Sequence, residues 1–172
     1  VTYVDEQTVQ PNELIKCYEE VFKGRSERLI VEPGRSISAN AGVMLTKIEY
    51  KKDSFLITDA AMNDLLRPAL YQAKHDVWQV QNNDEDLQNY SVVGPICETG
   101  DFLAKDVQLS ANEGDLLAIR TVGAYGFVMS SNYNSRMRSA EILVDKNEFH
   151  LIRRRENLSD LTALEEDLDD QV

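Results

Sequence analysis

The sequence is poor in cysteine, histidine and proline, and it lacks long apolar runs. Its 172 residues include two cysteines, two histidines and four prolines. Two cysteines that lie far apart in sequence give neither a disulfide framework nor a zinc-binding spacing. Because no stretch of about eighteen apolar residues occurs, we expect no transmembrane helix. These absences favour a reduced, cytoplasmic protein without a metal centre or a membrane contact.

Positive charge is also scarce. Eighteen Lys and Arg residues stand against thirty Asp and Glu residues, which gives a net charge of −12. Nucleic-acid binding needs clustered Lys and Arg, so a nucleic-acid partner is excluded. Part of the negative charge is concentrated near the end of the sequence, at Glu165, Glu166, Asp167, Asp169 and Asp170. This run predicts a solvated tail or, alternatively, a docking segment.

The first part of the chain has the pattern of an α/β protein. Residues 12–23 predict an amphipathic helix, and Leu29–Val31 predict a short buried strand. A helix followed by a buried strand is typical of a parallel sheet or barrel. We therefore interpret residues 1–36 as the last helix–strand unit of a larger α/β domain.

Beyond residue 36 the pattern changes to short β-type runs separated by polar turns such as Asn82-Asn83-Asp84. This pattern predicts a mainly β barrel or sandwich over residues 37–155, with helical interludes around Pro68–Ala73 and Ala124–Ser130. Residues 156–172 predict a C-terminal helix and the acidic tail. The predicted strands are Val43–Tyr50, Phe55–Thr58, Val77–Val80, Ser91–Ile96, Leu116–Thr121, Ile142–Val144 and Phe149–Ile152.

Glu32-Pro33-Gly34-Arg35 follows the predicted strand at its carboxyl end, which is where ligands bind in α/β domains. A glycine lets backbone amides approach an anion such as phosphate. The acid and the arginine suit a heterocycle nitrogen and an anionic group. The alternative is an ordinary solvated turn.

Arg67 and Tyr71 are separated by about one helical turn, and Pro68 suits the start of a helix. Their polar groups can therefore converge on one carboxylate. The alternative is a surface arginine beside a half-buried tyrosine.

Cys97 and Glu98 lie in a loop bounded by proline and glycine. The thiol suits a proton donor, and the carboxylate suits recognition of a substrate ammonium. The alternative is a buried structural cysteine.

Tyr125 is flanked by small residues in Gly123-Ala124-Tyr125-Gly126, which leaves its hydroxyl free to reach a ligand phosphate. The alternative is a tyrosine that packs at the start of a helix.

In their order along the chain, the segments EPGR, DLLRPALY, GPICETGDFL and GAYGFVMSSNYN resemble the C-terminal half of the fold-type III pyridoxal-phosphate-dependent decarboxylases. The likeness is strongest to the diaminopimelate decarboxylases and covers nearly the whole chain. It implies that residues 1–36 end a (β/α)₈ barrel that binds the cofactor. The remaining residues would form a β-domain like that of alanine racemase.

The resemblance implies roles toward pyridoxal 5′-phosphate. Glu32 matches the acid that pairs with the pyridine nitrogen, as an electron-sink cofactor requires. Pro33, Gly34 and Arg35 match the turn on the phosphate and substrate side. Tyr125 matches a tyrosine shared between cofactor and substrate.

The resemblance also implies roles toward the substrate. Arg35, Arg67 and Tyr71 match residues that hold the non-reacting end of diaminopimelate. Glu98 matches the group that recognises its distal ammonium. Cys97 matches the proton donor that acts after carbon dioxide leaves.

In this family the cysteine segment crosses a homodimer interface. The lysine that binds the cofactor covalently belongs to a motif near the start of the barrel, and no lysine of this chain has that context. The resemblance therefore implies a lysine-biosynthesis enzyme of which this chain, inactive by itself, is the C-terminal part.

Two other readings stay open. One is a related decarboxylase that acts on ornithine, arginine or carboxynorspermidine. The other is a non-catalytic dimerisation or regulatory module with the same fold.

Overall fold

A computed structural model of the chain describes residues 3, 4, 7, 9–81 and 86–166. Strands dominate the described part, and the helices are few and mostly short. The strands are β1 (Val43–Lys52), β2 (Phe55–Thr58), β3 (Val77–Gln79), β4 (Gln88–Val93), β5 (Phe102–Leu109), β6 (Leu116–Arg120), β7 (Glu141–Asp145) and β8 (Glu148–Arg153). The helices are α1 (Pro11–Phe22), α2 (Arg35–Ser38), α3 (Arg67–Tyr71) and α4 (Leu158–Leu161), with 3-10 turns at Ala39–Ala41, Phe127–Met129 and Tyr133–Ser135.

Six strands form one sheet in the order β3-β6-β1-β2-β4-β5, and β7 pairs with β8 in a separate hairpin. The pairs are antiparallel except for β2 with β4. The two edges of the large sheet approach each other, since the Gln79 side-chain oxygen accepts a hydrogen bond from the Ser110 backbone N–H at 3.0 Å. The sheet is therefore a nearly closed barrel, and the predicted mainly β fold is confirmed.

The core fills the inside of this barrel. Along β6, Leu117 and Ile119 are buried while their neighbours are more exposed, which is the period-two pattern of a half-buried strand. Each fully buried aliphatic or aromatic side chain contributes roughly 1.5–3 kcal/mol relative to exposure. The largest fully buried apolar side chains are Tyr90, Ile48, Leu56, Leu65, Leu103, Leu117, Ile119 and Val92.

The first part of the chain differs from its prediction in one respect. The predicted helix is confirmed as α1, which begins at Pro11, a residue suited to a first helical turn. The predicted strand Leu29–Val31 is wrong, because these residues are exposed and outside both sheets. A strand needs a neighbour for its backbone N–H and C=O groups, and the described residues provide none there.

Two strands of the barrel depart from the prediction. β5 was not predicted, since Lys105 and Asp106 interrupt its apolar pattern and Asp106 has a φ of +55°. β4 spans Gln88–Val93 instead of Ser91–Ile96. It ends before Gly94-Pro95 because proline has no N–H to donate to a ladder.

Within residues 156–166, the predicted C-terminal helix is present as the single turn α4, capped by Asn157, whose side chain accepts from the Asp160 N–H. None of its residues is buried, and so short a helix has little stability without packing. The Asn82-Asn83-Asp84 turn and the acidic residues Asp167, Asp169 and Asp170 lie outside the described residues. Among the described helices, none has the length and apolar character needed to cross a membrane.

Candidate functional site

Two glycines bring distant segments into backbone contact at one end of the barrel. A Cβ on Gly123 would lie 2.0 Å from the Ser38 carbonyl oxygen, and one on Gly42 would lie 2.3 Å from the Gly123 nitrogen. Both distances are too short for any side chain. The Gly123 N–H donates to the Ala39 carbonyl at 3.0 Å. This contact fixes the 122–126 turn against the segment that follows the EPGR motif.

Tyr125 is held in an unusual backbone conformation within that turn. Its φ is +64°, in the left-handed region that bulky residues rarely adopt. Such a backbone conformation costs about 1–3 kcal/mol and persists only where the surrounding structure imposes it. A Cβ on Gly34 would lie 3.0 Å from the Tyr125 hydroxyl. The strained tyrosine therefore directs its hydroxyl to the glycine of the EPGR motif.

Arginine and tyrosine side chains gather beside this contact. The Arg67 guanidinium carbon lies 4.8 Å from the centre of the Tyr71 ring, 5.0 Å from that of Tyr125 and 5.3 Å from that of Tyr3. The Arg35 guanidinium carbon lies 4.7 Å from the centre of the same Tyr3 ring. We call Tyr3, Arg35, Arg67, Tyr71 and Tyr125 the arginine–tyrosine cluster.

The cluster is positively charged and partly dehydrated. The Arg67 Nε atom is buried and has no hydrogen-bond partner among the described residues. Neighbouring His75 is buried, contacts the Tyr3 ring in a tilted arrangement and lies 2.8 Å from the Arg120 carbonyl through Nδ1. Burial, and to a smaller extent the charge of Arg67, lowers the pKa of His75 below its ordinary value. A buried guanidinium N–H without an acceptor suits an anionic ligand.

Residues 94–101, the thiol–carboxylate loop, form the second part of the site. Its reactive side chains, Cys97 and Glu98, are exposed. Buried Asp101 fixes the loop by accepting hydrogen bonds from the Met62 N–H at 2.7 Å and the Ile96 N–H at 2.8 Å. Burial raises the pKa of Asp101 despite these bonds. Asp101 thus ties the loop to the segment that leads into Arg67.

Residues 131–136 join the thiol–carboxylate loop to Asn63, which lies four residues before Arg67. The buried Asn63 side chain donates to the Ser131 carbonyl at 3.3 Å and accepts from Arg136 Nε at 2.9 Å. The Tyr133 hydroxyl donates a hydrogen bond to Glu98 Oε1. The connection between the two parts of the site is therefore built from hydrogen bonds between loops.

The predicted site residues fall into two groups. Arg35, Arg67, Tyr71 and Tyr125 come together in the arginine–tyrosine cluster, with Gly34 at its edge. Cys97 and Glu98 lie apart from them in the thiol–carboxylate loop. The described contacts of Glu98 are with Tyr133 and its own loop.

Glu32 and Pro33 are exposed in the segment before α2. No role was predicted for Asn63, Asp101 or Tyr133, although Asp101 and Tyr133 belong to the quoted motifs and Asn63 directly precedes one of them. In the described part of the chain, no three His, Cys, Asp or Glu residues are placed to hold a metal ion.

Comparison with known families gives one match that covers most of the chain. The family model described as pyridoxal-dependent decarboxylase, C-terminal sheet domain, matches residues 3–123. The chain is 57% identical to the diaminopimelate decarboxylase of Pseudomonas aeruginosa over 95% of its own length, and 54% identical to that of Vibrio cholerae over 96%. It spans 40% and 41% of the length of these relatives.

Solved structures give the same picture. Diaminopimelate decarboxylase from Helicobacter pylori, complexed with L-lysine, superposes with a TM-score of 0.89 at 39% identity, covering 100% of this chain and 43% of that chain. A lysine/ornithine decarboxylase from Vibrio vulnificus superposes with a TM-score of 0.67 at 22% identity, covering 81% of this chain and 39% of that chain. The second likeness concerns the fold alone.

Proposed function

Because this chain belongs to the pyridoxal-dependent decarboxylase family through its C-terminal sheet domain, we propose that it is the C-terminal part of a diaminopimelate decarboxylase. The whole protein converts meso-2,6-diaminopimelate to L-lysine and carbon dioxide. The chain contributes the residues that bind the distal end of the substrate and the residue that returns a proton. The Helicobacter pylori relative was solved with L-lysine, the product of this reaction.

The arrangement around Arg67 carries the proposal. Three tyrosine rings surround its guanidinium group, and its buried Nε lacks an acceptor among the described residues. A substrate carboxylate that binds the Arg67 guanidinium group forms charge-assisted hydrogen bonds, which are about twice as strong as neutral ones. Diaminopimelate has a second carboxylate at its distal end, whereas ornithine does not. The cluster therefore favours diaminopimelate.

The chain also has groups that fit pyridoxal 5′-phosphate. The Gly34 backbone and the Tyr125 hydroxyl face each other closely, and a side chain at position 34 would enter that space. Glu32, Pro33, Gly34, Arg35 and Tyr125 are our proposed cofactor contacts, with Glu32 at the pyridine nitrogen. The bound cofactor supplies an electron sink for decarboxylation. The lysine that binds it covalently belongs to the preceding domain.

The thiol–carboxylate loop supplies one group for the reacting carbon of the substrate and one group for its distal end. Cys97 Sγ donates a proton to the carbon that loses its carboxylate, and Glu98 accepts a hydrogen bond from an ammonium group. Both side chains are exposed on a loop whose base is fixed by buried Asp101. This combination supports a loop that crosses the interface of a homodimer and completes the active site of the partner subunit.

The division into residues 1–36, 37–155 and 156–172 is part of the same proposal. Residues 1–36 end the cofactor-binding barrel, and residues 37–155 form the β-domain. A cytoplasmic location fits the two free cysteines among the described residues.

Substrate turnover by the full-length protein tests the proposal. The purified protein, saturated with pyridoxal 5′-phosphate, is assayed for carbon dioxide release from meso-diaminopimelate, L-ornithine and L-arginine. We expect L-lysine as the product and the highest kcat/KM with diaminopimelate. A preference for ornithine or arginine would place the protein in a related decarboxylase group. Absence of turnover on all three would favour a non-catalytic module.

A further inference from the structure

Tyr133 is the described residue that links Glu98 to the rest of the site by a side-chain hydrogen bond. Its hydroxyl donates to Glu98 Oε1. This leaves the other carboxylate oxygen, Oε2, to accept from a ligand. A carboxylate that is held through one oxygen presents the second in a defined direction, which is what recognition of an ammonium group requires.

The position of Tyr133 is itself fixed by its own loop. It opens the 3-10 turn Tyr133–Ser135, in which Asn134 and Ser135 have φ angles of +56° and +53°. Arg136 closes the loop by donating from Nε to buried Asn63 at 2.9 Å. Two consecutive left-handed residues limit the freedom of the loop. Ser131 and Arg136, on either side of Tyr133 in sequence, both bond to Asn63, so the loop that carries Tyr133 is anchored before and after it.

The chemistry of the hydroxyl agrees with a donor role. The hydrogen bond to Glu98, followed by burial and the charge of Glu98, raises the pKa of Tyr133 above its ordinary value. The phenol thus keeps its proton at physiological pH. It therefore acts as a hydrogen-bond donor to Glu98.

We propose that Tyr133 is a positioning residue that sets Glu98 for recognition of the distal ammonium of the substrate. The inference rests on the proposed decarboxylation of diaminopimelate. It adds a residue that has no contact with the reacting carbon and acts through Glu98 alone. Tyr133 therefore influences the affinity for substrates with a second amino group more than it influences the chemical step.

The test compares the full-length holoenzyme with its Tyr133→Phe variant on two substrates. The first is meso-diaminopimelate, and the second is 2-aminopimelate, which has both carboxylates and lacks the distal amine. We expect Tyr133→Phe to lower kcat/KM for diaminopimelate by about tenfold, mainly through KM, as loss of one hydrogen bond to a charged group requires. On 2-aminopimelate, wild type and variant should have equal kcat/KM.

Two further variants sharpen the result. Tyr50→Phe removes an exposed hydroxyl on β1 and should leave both activities unchanged. In a Glu98→Gln background, Tyr133→Phe should cause little additional loss, because the charged acceptor that Tyr133 positions is already absent.

Equal losses on the two substrates, or a full additional loss in the Glu98→Gln background, would show a general structural role and overturn the inference alone. Unchanged kcat/KM for diaminopimelate in Tyr133→Phe would do the same. Failure of the wild-type enzyme to turn over diaminopimelate would instead overturn the proposed function, and the inference with it.

Discussion

The arginine–tyrosine cluster and the thiol–carboxylate loop differ in how the fold holds them. The cluster is assembled by packing: Arg67 opens α3, and Tyr125 is fixed by glycines that allow two backbones to touch. The loop is assembled by hydrogen bonds to Asp101, and its reactive side chains remain exposed. A preformed cluster suits binding of one end of a ligand, whereas an exposed loop suits contact with a group from another surface.

The two regions also differ in charge. The cluster offers guanidinium and phenol donors, and the loop offers a thiol and a carboxylate. A diamino dicarboxylic acid carries the complementary groups, since its carboxylates match the donors and its ammonium groups match the carboxylate. We therefore expect substitutions in the loop and in the cluster to have separable effects.

The largest effect should come from the thiol. Cys97→Ala in the full-length enzyme should lower kcat by about 100-fold or more with little change in KM, because a positioned proton donor contributes about 10²–10⁴-fold. Steady-state kinetics on diaminopimelate measure this. Cys17→Ala, which alters an exposed thiol on α1, is the matched control and should retain wild-type kcat. Equal kcat in wild type and Cys97→Ala would remove the thiol from the mechanism.

A smaller effect is expected from the neighbouring carboxylate. Glu98→Gln should lower kcat/KM for diaminopimelate by roughly 10-fold, since it replaces a charged acceptor with a neutral one. Glu20→Gln on exposed α1 provides a control with the same change in charge. Equal kcat/KM values for Glu98→Gln and Glu20→Gln would show that Glu98 does not bind the ammonium group.

The connection between loop and cluster should contribute mainly to stability. Asp101→Asn leaves one of two buried backbone N–H groups without an acceptor, which costs about 1–3 kcal/mol. Urea unfolding of the chain measures the change in the free energy of unfolding. Asp53→Asn, in the exposed turn between β1 and β2, should alter stability by less than about 0.5 kcal/mol. An Asp101→Asn variant with the same free energy of unfolding as wild type would contradict the claim that this carboxylate fixes the thiol–carboxylate loop.

The smallest effect concerns pH. Because the pKa of His75 is lowered in the fold, its neutral ring stabilises the protein fully above pH 6.5, and this contribution is lost as pH falls through the folded-state pKa. Unfolding free energies at pH 7.5 and 5 should therefore differ less in His75→Gln than in wild type. His150→Gln, on exposed β8, should keep the wild-type difference. The same difference in all three proteins would exclude His75 as its source.

Local patterns in the sequence predicted much of the barrel and part of the site. The apolar runs of β1, β2 and β6 are strong enough to identify each strand, whereas charged Lys105 and Asp106 conceal β5. The helical spacing of Arg67 and Tyr71 predicted that their polar groups converge, and the two side chains do lie side by side. The two residues are only four positions apart on one helix, so their relative position follows from the sequence.

The remaining features depend on contacts between distant residues. Tyr133 meets Glu98 across 35 positions, and Met62 meets Asp101 across 39. No periodicity or turn pattern encodes such pairs. The strand predicted at residues 29–31 failed for a related reason, since a strand is completed by a neighbour and not by its own sequence.

The separation of roles between cluster and loop is tested most directly by one specificity ratio. The ratio of kcat/KM for meso-diaminopimelate to that for L-ornithine is measured in the full-length enzyme and in its Arg67→Gln variant. If the cluster binds the distal carboxylate, Arg67→Gln lowers kcat/KM for diaminopimelate by roughly 10-fold or more and changes kcat/KM for ornithine little. The ratio then falls by about the same factor. A ratio that stays at the wild-type value would contradict the assignment of the cluster to that carboxylate.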